Sequence, residues 1–221
     1  MHGYGANKES FLPQIRYFSR FYRVTAFDFW GFGQSEGLPS AWSVGDYAQQ
    51  TAELLKELNV VRPCVVAHSF GARVAVKLAS QNPQIFEKML LTGAAGVVAN
   101  RGLGYHVKVR AYRFIKKLFP VYAERHFGSA EYKGLSPVMK ESYKKIVNED
   151  LRACARLVQI PVLFVYGDKD TTTPVKEGKL YSAAILGSRL EIMPHCGHFA
   201  FLDDASLFNQ ITEEFLESEN V

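Results

Sequence analysis

The stretch PCVVAHSFGARVAVKLAS, residues 63–80, decides how the rest of the chain is read. Its first part, PCVVAH, is apolar without alternation, as a strand is when both of its faces are covered. The second part, SFGARVAVKLAS, suits a helix whose small residues allow close packing. Between them Ser69 stands at a sharp turn, with Ala67 two residues before it and Gly71 two after. A tight strand-to-helix turn requires small residues there, because neighbouring backbone passes close. The same turn presents the Ser69 hydroxyl at a helix start, where backbone N–H groups and the helix dipole favour a developing negative charge.

Outward from this turn, strand and helix signals alternate. FLPQIRYFSRF (11–21) suits a helix, YRVTAF (22–27) a strand, and DFWGFGQSEG (28–37) a Gly-rich turn. In SVGDYAQQTAELLKEL (43–58) Val44, Tyr47, Ala48, Thr51, Leu54, Leu55 and Leu58 fall at helical spacing behind a capping start of Ser43 and Asp46. EKMLLTGAAG (87–96) is a buried strand with a Gly-rich exit. IPVLFVYGDKD (160–170) is another, ending in acids. EGKLYSAAI predicts a helix, SRLEIM a strand, PHCGHFAF a loop and ASLFNQITEEFLES a closing amphipathic helix. Strands alternating with helices imply right-handed crossovers, hence an α/β fold with a mainly parallel sheet and helices on both faces.

The rhythm stops over residues 97–150. That segment holds eleven Lys or Arg against five Asp or Glu, while the whole chain has a net charge of only +4. YHVKVRAYRFIKKLF (105–119) and SPVMKESYKKIV (136–147) both predict helices with apolar and basic faces, the pattern of an inserted helical cap. Residues 1–96 and 151–221 then form the core. The overall charge is too mild to argue for nucleic acid, and the basic face reads as solvated helix surface, with steering of an anionic substrate or contact with a membrane surface as the alternative. At 221 residues the chain fits one medium domain. No apolar run suits a bilayer span, so stable membrane insertion is not expected. The start MHGYGANKESF lacks the cationic and apolar regions of a secretory leader. Cys64, Cys154 and Cys196 are odd in number and scattered, which suits free thiols in a reducing compartment, the cytoplasm by default. Oligomeric state is left open.

Ligands of open parallel sheets bind beyond the carboxyl ends of the strands. Three exits there carry reactive groups: Ser69 after PCVVAH, Asp168 and Asp170 after PVLFVYG, and His195 and His198 after SRLEIM. A serine hydroxyl needs a base to remove its proton, and the base works best when a carboxylate fixes its tautomer. The order serine, acid, histidine is the one this architecture uses.

On these motifs the chain resembles the α/β-hydrolase superfamily, in its capped, esterase-like branch. HGYG (2–5) resembles the oxyanion loop, DFWGFGQSEG the D-x-x-G-x-G-x-S turn, AHSFG the nucleophile elbow with Ala67 in place of the first glycine, GDKDTTTP the acid loop and HCGH the histidine loop. The resemblance implies Ser69 as nucleophile, His198 as base, and Asp170 rather than Asp168 as the acid, being the last residue of G-x-x-D. It implies backbone N–H groups of Tyr4 and Phe70 as the oxyanion hole. His195, Asp168 and Cys196 are expected to be structural or solvated, and His68 to pack beside the site. Asp28, Gly31, Gly33 and Ser35 are expected to brace it, with Trp30 where relatives often carry arginine. Serine at the elbow argues against the dehalogenases and epoxide hydrolases of this fold, which use aspartate there. The expected reaction is hydrolysis of a small ester through an acyl-enzyme, with no cofactor, no metal and a small-molecule substrate. Thioesters, lactones, amides, peptides and C–C bonds are alternatives, and Tyr105, Tyr112, Phe114, Phe119 and Tyr122 are candidate apolar wall residues. The competing reading is an inactive or non-catalytic binding protein on the same fold.

The resemblance also raises a question about the opening loop. In the family, HGYG follows a strand lying between those read here as YRVTAF and PCVVAH. The expectation is therefore an N-terminal truncation, with Met1 at the end of a missing strand and a fragment unstable or inactive alone. The alternative is that YRVTAF and PCVVAH pair directly.

Overall fold

The computed structural model describes residues 1–98 and 134–218. After a short 3-10 helix (Lys8–Phe11) come α1 (Leu12–Phe18), α2 (Val44–Glu57), β1 (Val65–His68), α3 (Phe70–Gln81) and β2 (Met89–Thr92). They are followed by α4 (Pro137–Asn148), α5 (Arg152–Ala155), β3 (Val162–Gly167), α6 (Val175–Ser182), β4 (Arg189–Met193), α7 (Ala200–Asp203) and α8 (Ala205–Glu217). Among the described residues four strands form one parallel sheet in chain order, β1 to β4. This is the doubly covered α/β sheet that the alternation implies.

Period-two alternation sorts the sheet into two cores. Met89, Leu91, Phe164 and Tyr166 pack on one face with Tyr47 and Leu55 of α2 and Val74 and Leu78 of α3. Leu90, Leu163 and Val165 pack on the other with Phe11, Phe201, and Phe208 and Phe215 of α8. Because both faces are covered, β2 and β3 are buried at every residue, which is why they read as unbroken apolar runs. The start of α2 carries a complete capping box, Ser43 with Asp46. Val44, Tyr47, Ala48, Thr51 and Leu55 line its buried face, whereas Leu58, expected on that stripe, is exposed at the helix end.

Helix α4 falls where SPVMKESYKKIV predicts it and buries Met139, Ser142 and Ile146. Ser142 Oγ donates to the Trp42 carbonyl at 2.7 Å, and Arg73 donates to the Glu149 carbonyl at 2.8 Å. The chain departs and returns at one point: Leu151 N–H donates to Gly96 O and Val98 N–H to the Asp150 carboxylate. The other expected helix, YHVKVRAYRFIKKLF, and the aromatics Tyr105, Tyr112, Phe114, Phe119 and Tyr122 lie outside the described residues.

One expectation fails. YRVTAF is not a strand. Nor does it pair with PCVVAH; an apolar cavity of about 480 Å³ lies between Val24–Phe27 and Val65–Val66. A strand is a property of a hydrogen-bonded pair, and β-branched and aromatic composition cannot supply the neighbour. Tyr22 and Val24 are consequently exposed despite being apolar.

The turn after this segment braces the fold as expected. Asp28 accepts from Lys8 N–H and Lys8 Nζ, both at 2.6 Å, and from Gln34 N–H at 3.0 Å. Ser35 Oγ donates to the Asp28 carbonyl, and at Gly33 (φ 55°) a side chain would collide with the Asp28 carboxylate. Burial pushes this carboxyl up, but the bonds from Gln34 and Lys8 prevail and hold it at about 2. A depressed carboxyl contributes stability that is present above its unfolded value, 3.8, and is lost as pH falls toward about 2. Asp28→Asn is therefore expected to flatten the dependence of Tm on pH between those values, measured by thermal denaturation.

Candidate active site

The site is assembled where the opening loop, the elbow and the two loops after β3 and β4 meet. Ser69 lies between β1 and α3 with φ 50° and ψ −105°, a conformation rare for a residue with a side chain. It is held by pairing on both sides, Ser69 N–H to Thr92 O at 3.1 Å and Ala95 N–H to Ser69 O at 3.3 Å. Such strain persists when the surroundings over-determine it, and it lifts the side chain out of the turn. The small neighbours have a measurable reason. A Cβ at Gly71 would lie 2.5 Å from the Met1 carbonyl oxygen and 2.8 Å from that of His2.

The opening loop thus runs directly over the start of α3. His2 fixes it from the other side: its Nδ1–H donates to Gly3 O at 2.8 Å and its Nε2 accepts from Phe29 N–H at 3.0 Å. Those two bonds define one neutral tautomer, and burial lowers the imidazole to about 4. The Tyr4 ring stands edge-on to Phe32, Phe70 and Tyr143, while its hydroxyl donates to Met139 O of α4 at 3.2 Å. Among the described residues the backbone N–H groups of Tyr4 and Phe70 have no acceptor. Phe70 is the first residue of α3, so its N–H has no partner within the helix.

Asp170 and His198 are brought together, with Asp170 Oδ2 to His198 Nδ1 at 2.8 Å. Asp170 is buried, and Oδ1 also accepts from Thr172 and Thr173 N–H at 2.8 and 2.9 Å. Burial pushes its carboxyl up, but the bonds from His198 and Thr173 outweigh that and hold it below the usual range. Asp168, by contrast, is exposed and 3.7 Å from Lys169, while His195 is exposed in a left-handed turn (φ 62°). Buried Cys196 donates weakly to Pro194 O. Among the described residues Ser69 Oγ makes no hydrogen bond to His198. Such contacts are often long in unliganded sites.

Two residues do more than the sequence suggests. His68 is fully buried and its Nε2–H donates to the His198 carbonyl at 3.0 Å, with the two rings 4.6 Å apart. Burial, and then the neighbouring His198, lower its imidazole to about 3, so it is a neutral strut. Thr173 goes unremarked in sequence reading, although its position three residues after an aspartate is a turn signal. Its hydroxyl lies 2.7 Å from Asp170 Oδ2, 3.0 Å from Gly93 O and 3.1 Å from His198 Nδ1. Close approach also explains two glycines. A Cβ at Gly93 would lie 3.1 Å from His198 Nδ1, and one at Gly167 would collide with the carbonyls of Cys196 and Gly197.

A profile described as the alpha/beta hydrolase family matches residues 1–211. The chain belongs to that family. Among curated proteins it is 26% identical to human "Serine hydrolase BPHL" over 96% of this chain and 76% of that protein. It is 24% identical to "Putative carbamate hydrolase RutD" of Serratia proteamaculans over 95% of this chain and 86% of that one. Among solved structures, an esterase from Exiguobacterium antarcticum superposes with a TM-score of 0.80 at 22% identity, over 99% of this chain and 90% of that one. No helix among the described residues is long and apolar enough to cross a membrane.

Thr173→Val removes the hydroxyl from Asp170 and Gly93 but keeps the N–H bond. The Asp170 carboxyl is expected to rise toward the ordinary range in a carbon-13 NMR titration, at a cost of about 1–3 kcal/mol of stability in denaturant melts.

Proposed function

We propose that the protein is a serine hydrolase that cleaves a small carboxylic ester through an acyl-enzyme. The observation that carries this reading is the Asp170–His198 bond of 2.8 Å beside a strained elbow serine and two backbone N–H groups that have no acceptor among the described residues. Ser69 Oγ attacks the ester carbonyl while His198 Nε2 takes its proton. Asp170 holds the Nδ1–H tautomer and stabilises the imidazolium. The tetrahedral oxyanion accepts from Tyr4 and Phe70 N–H, where a preorganised donor is worth about a hundredfold to a thousandfold in rate. The alcohol leaves with the proton from His198, and water, deprotonated by the same base, releases the acid.

The residues at the mouth suit an uncharged, partly apolar substrate. Phe199 is exposed beside His198 with ring centres 5.4 Å apart, and Tyr143 and Met139 of α4 stand over Tyr4. Residues 97–150, entered and left at one hydrogen-bonded point, act as the cap that selects the substrate, and the three unpaired thiols suit the cytoplasm. The mechanism uses no cofactor or metal. The solved structure described as an esterase, among the similar proteins, is consistent with an oxygen ester.

Ser69→Ala is expected to lower kcat for short-chain nitrophenyl esters by at least about a thousandfold, measured by nitrophenol release. Equal activity in wild type and Ser69→Ala, or none across ester, thioester and amide panels, would overturn the serine-hydrolase reading.

A further inference from the structure

Tyr4 belongs to the opening loop by its backbone and to the cap helix by its side chain. Ala6 N–H donates to Gly3 O at 3.2 Å and Gly5 takes φ 74°, so residues 3–6 form a β-turn with Tyr4 in second place. His2 Nδ1–H donates to the same Gly3 oxygen at 2.8 Å. Gly3 C=O and Tyr4 N–H share one planar trans peptide, so holding that oxygen inside the turn aims the Tyr4 N–H out of it. The side chain then sets where the turn sits. Its ring is 5.6 Å from that of Phe70 and 5.0 Å from that of Tyr143 in α4, and its hydroxyl donates to Met139 O of α4 at 3.2 Å. Burial, and then Tyr143 beside it, raise the phenol above its ordinary value, so the donor keeps its proton.

Helix α4 is fixed along its whole length. Met139 sits over the bracing turn, where a Cβ at Gly31 would lie 2.8 Å from its sulfur. Ser142 Oγ donates to Trp42 O at 2.7 Å and Lys145 Nζ to Ala41 O at 2.6 Å. At the far end Arg73 and Lys77 of α3 donate to the Glu149 carbonyl and carboxylate at 2.8 and 2.9 Å. One helix therefore joins Tyr4 to α3, the helix that Phe70 begins.

We propose that α4 braces the oxyanion hole, with the Tyr4 hydroxyl as the positioning group that fixes the turn carrying the Tyr4 N–H against the start of α3. In the serine-hydrolase reading, on which this rests, the cap then governs the chemical step as well as admitting substrate. A misaimed donor weakens the transition state more than the bound ester, so loosening the brace lowers kcat and spares KM.

Tyr4→Phe keeps the ring and the backbone N–H and removes only the tie to α4. It is expected to lower kcat for short-chain nitrophenyl esters about fivefold to tenfold, with KM within about twofold. A trifluoromethyl ketone, which forms its oxyanion by adding Ser69 Oγ, is expected to bind more weakly by the same factor. Ser142→Ala loosens α4 from the opposite side. It is expected to lower kcat about twofold to threefold when Tyr4 is present and to add nothing in the Tyr4→Phe background. Exchange of the Ala6 amide, which closes the turn, is expected to quicken about fivefold in Tyr4→Phe. A kcat within about twofold of wild type, a loss carried by KM, additive effects in the double variant or unchanged Ala6 exchange overturns the brace. A wild type that cleaves no ester sinks the hydrolase reading instead, and Ala6 exchange in the two variants still decides whether α4 holds the turn.

Discussion

The arrangement depends on one close approach: the backbone of Met1 and His2 lies against the first turn of α3, in the space a side chain at Gly71 would fill. This contact sets the opening loop over the elbow, where the Tyr4 and Phe70 rings stand 5.6 Å apart. His2 secures the loop by bonding to its own turn and to Phe29, and Gly3 allows it to pass the His68 ring, where a Cβ would lie 2.7 Å from Nδ1. The rigidity is geometric rather than ionic. His2 and His68 are both kept neutral by burial.

The histidine loop is held by the same means. Gly93 and Gly167 let the carbonyls and ring of residues 196–198 approach the ends of β2 and β3, and His68 then ties down the His198 carbonyl. Asp170 is satisfied by Thr172, Thr173 and His198 together, which keeps a buried carboxylate ionised and its lone pairs directed. Thr173 joins the acid loop to the end of β2, so three strand exits share one hydroxyl.

Much of this was legible because its causes are local. The capping of α2 by Ser43 and Asp46, the apolar runs of β1, β2 and β3, and the small residues around Ser69 follow from short-range sterics and periodicity. The family resemblance selects Asp170 over Asp168 as the last residue of G-x-x-D; Asp170 is buried and Asp168 exposed. Thr173 and the strut formed by His68 were not legible, because each acts across loops far apart in sequence. YRVTAF was misread for the same reason in reverse: its composition favours a strand, but a ladder needs a partner, and the space beside it is a cavity.

The sequence by itself determined the order of elements, the two-sided burial of the sheet and the three residue types at its exits, since propensity, alternation and turn chemistry act over a few residues. Only the tertiary structure decided which groups meet. The Asp170–His198 bond, the tie from His68 to the His198 carbonyl and the burial that keeps His2 and His68 neutral depend on contacts between segments up to 130 residues apart. Those distances are set by how whole elements pack, which no local pattern encodes.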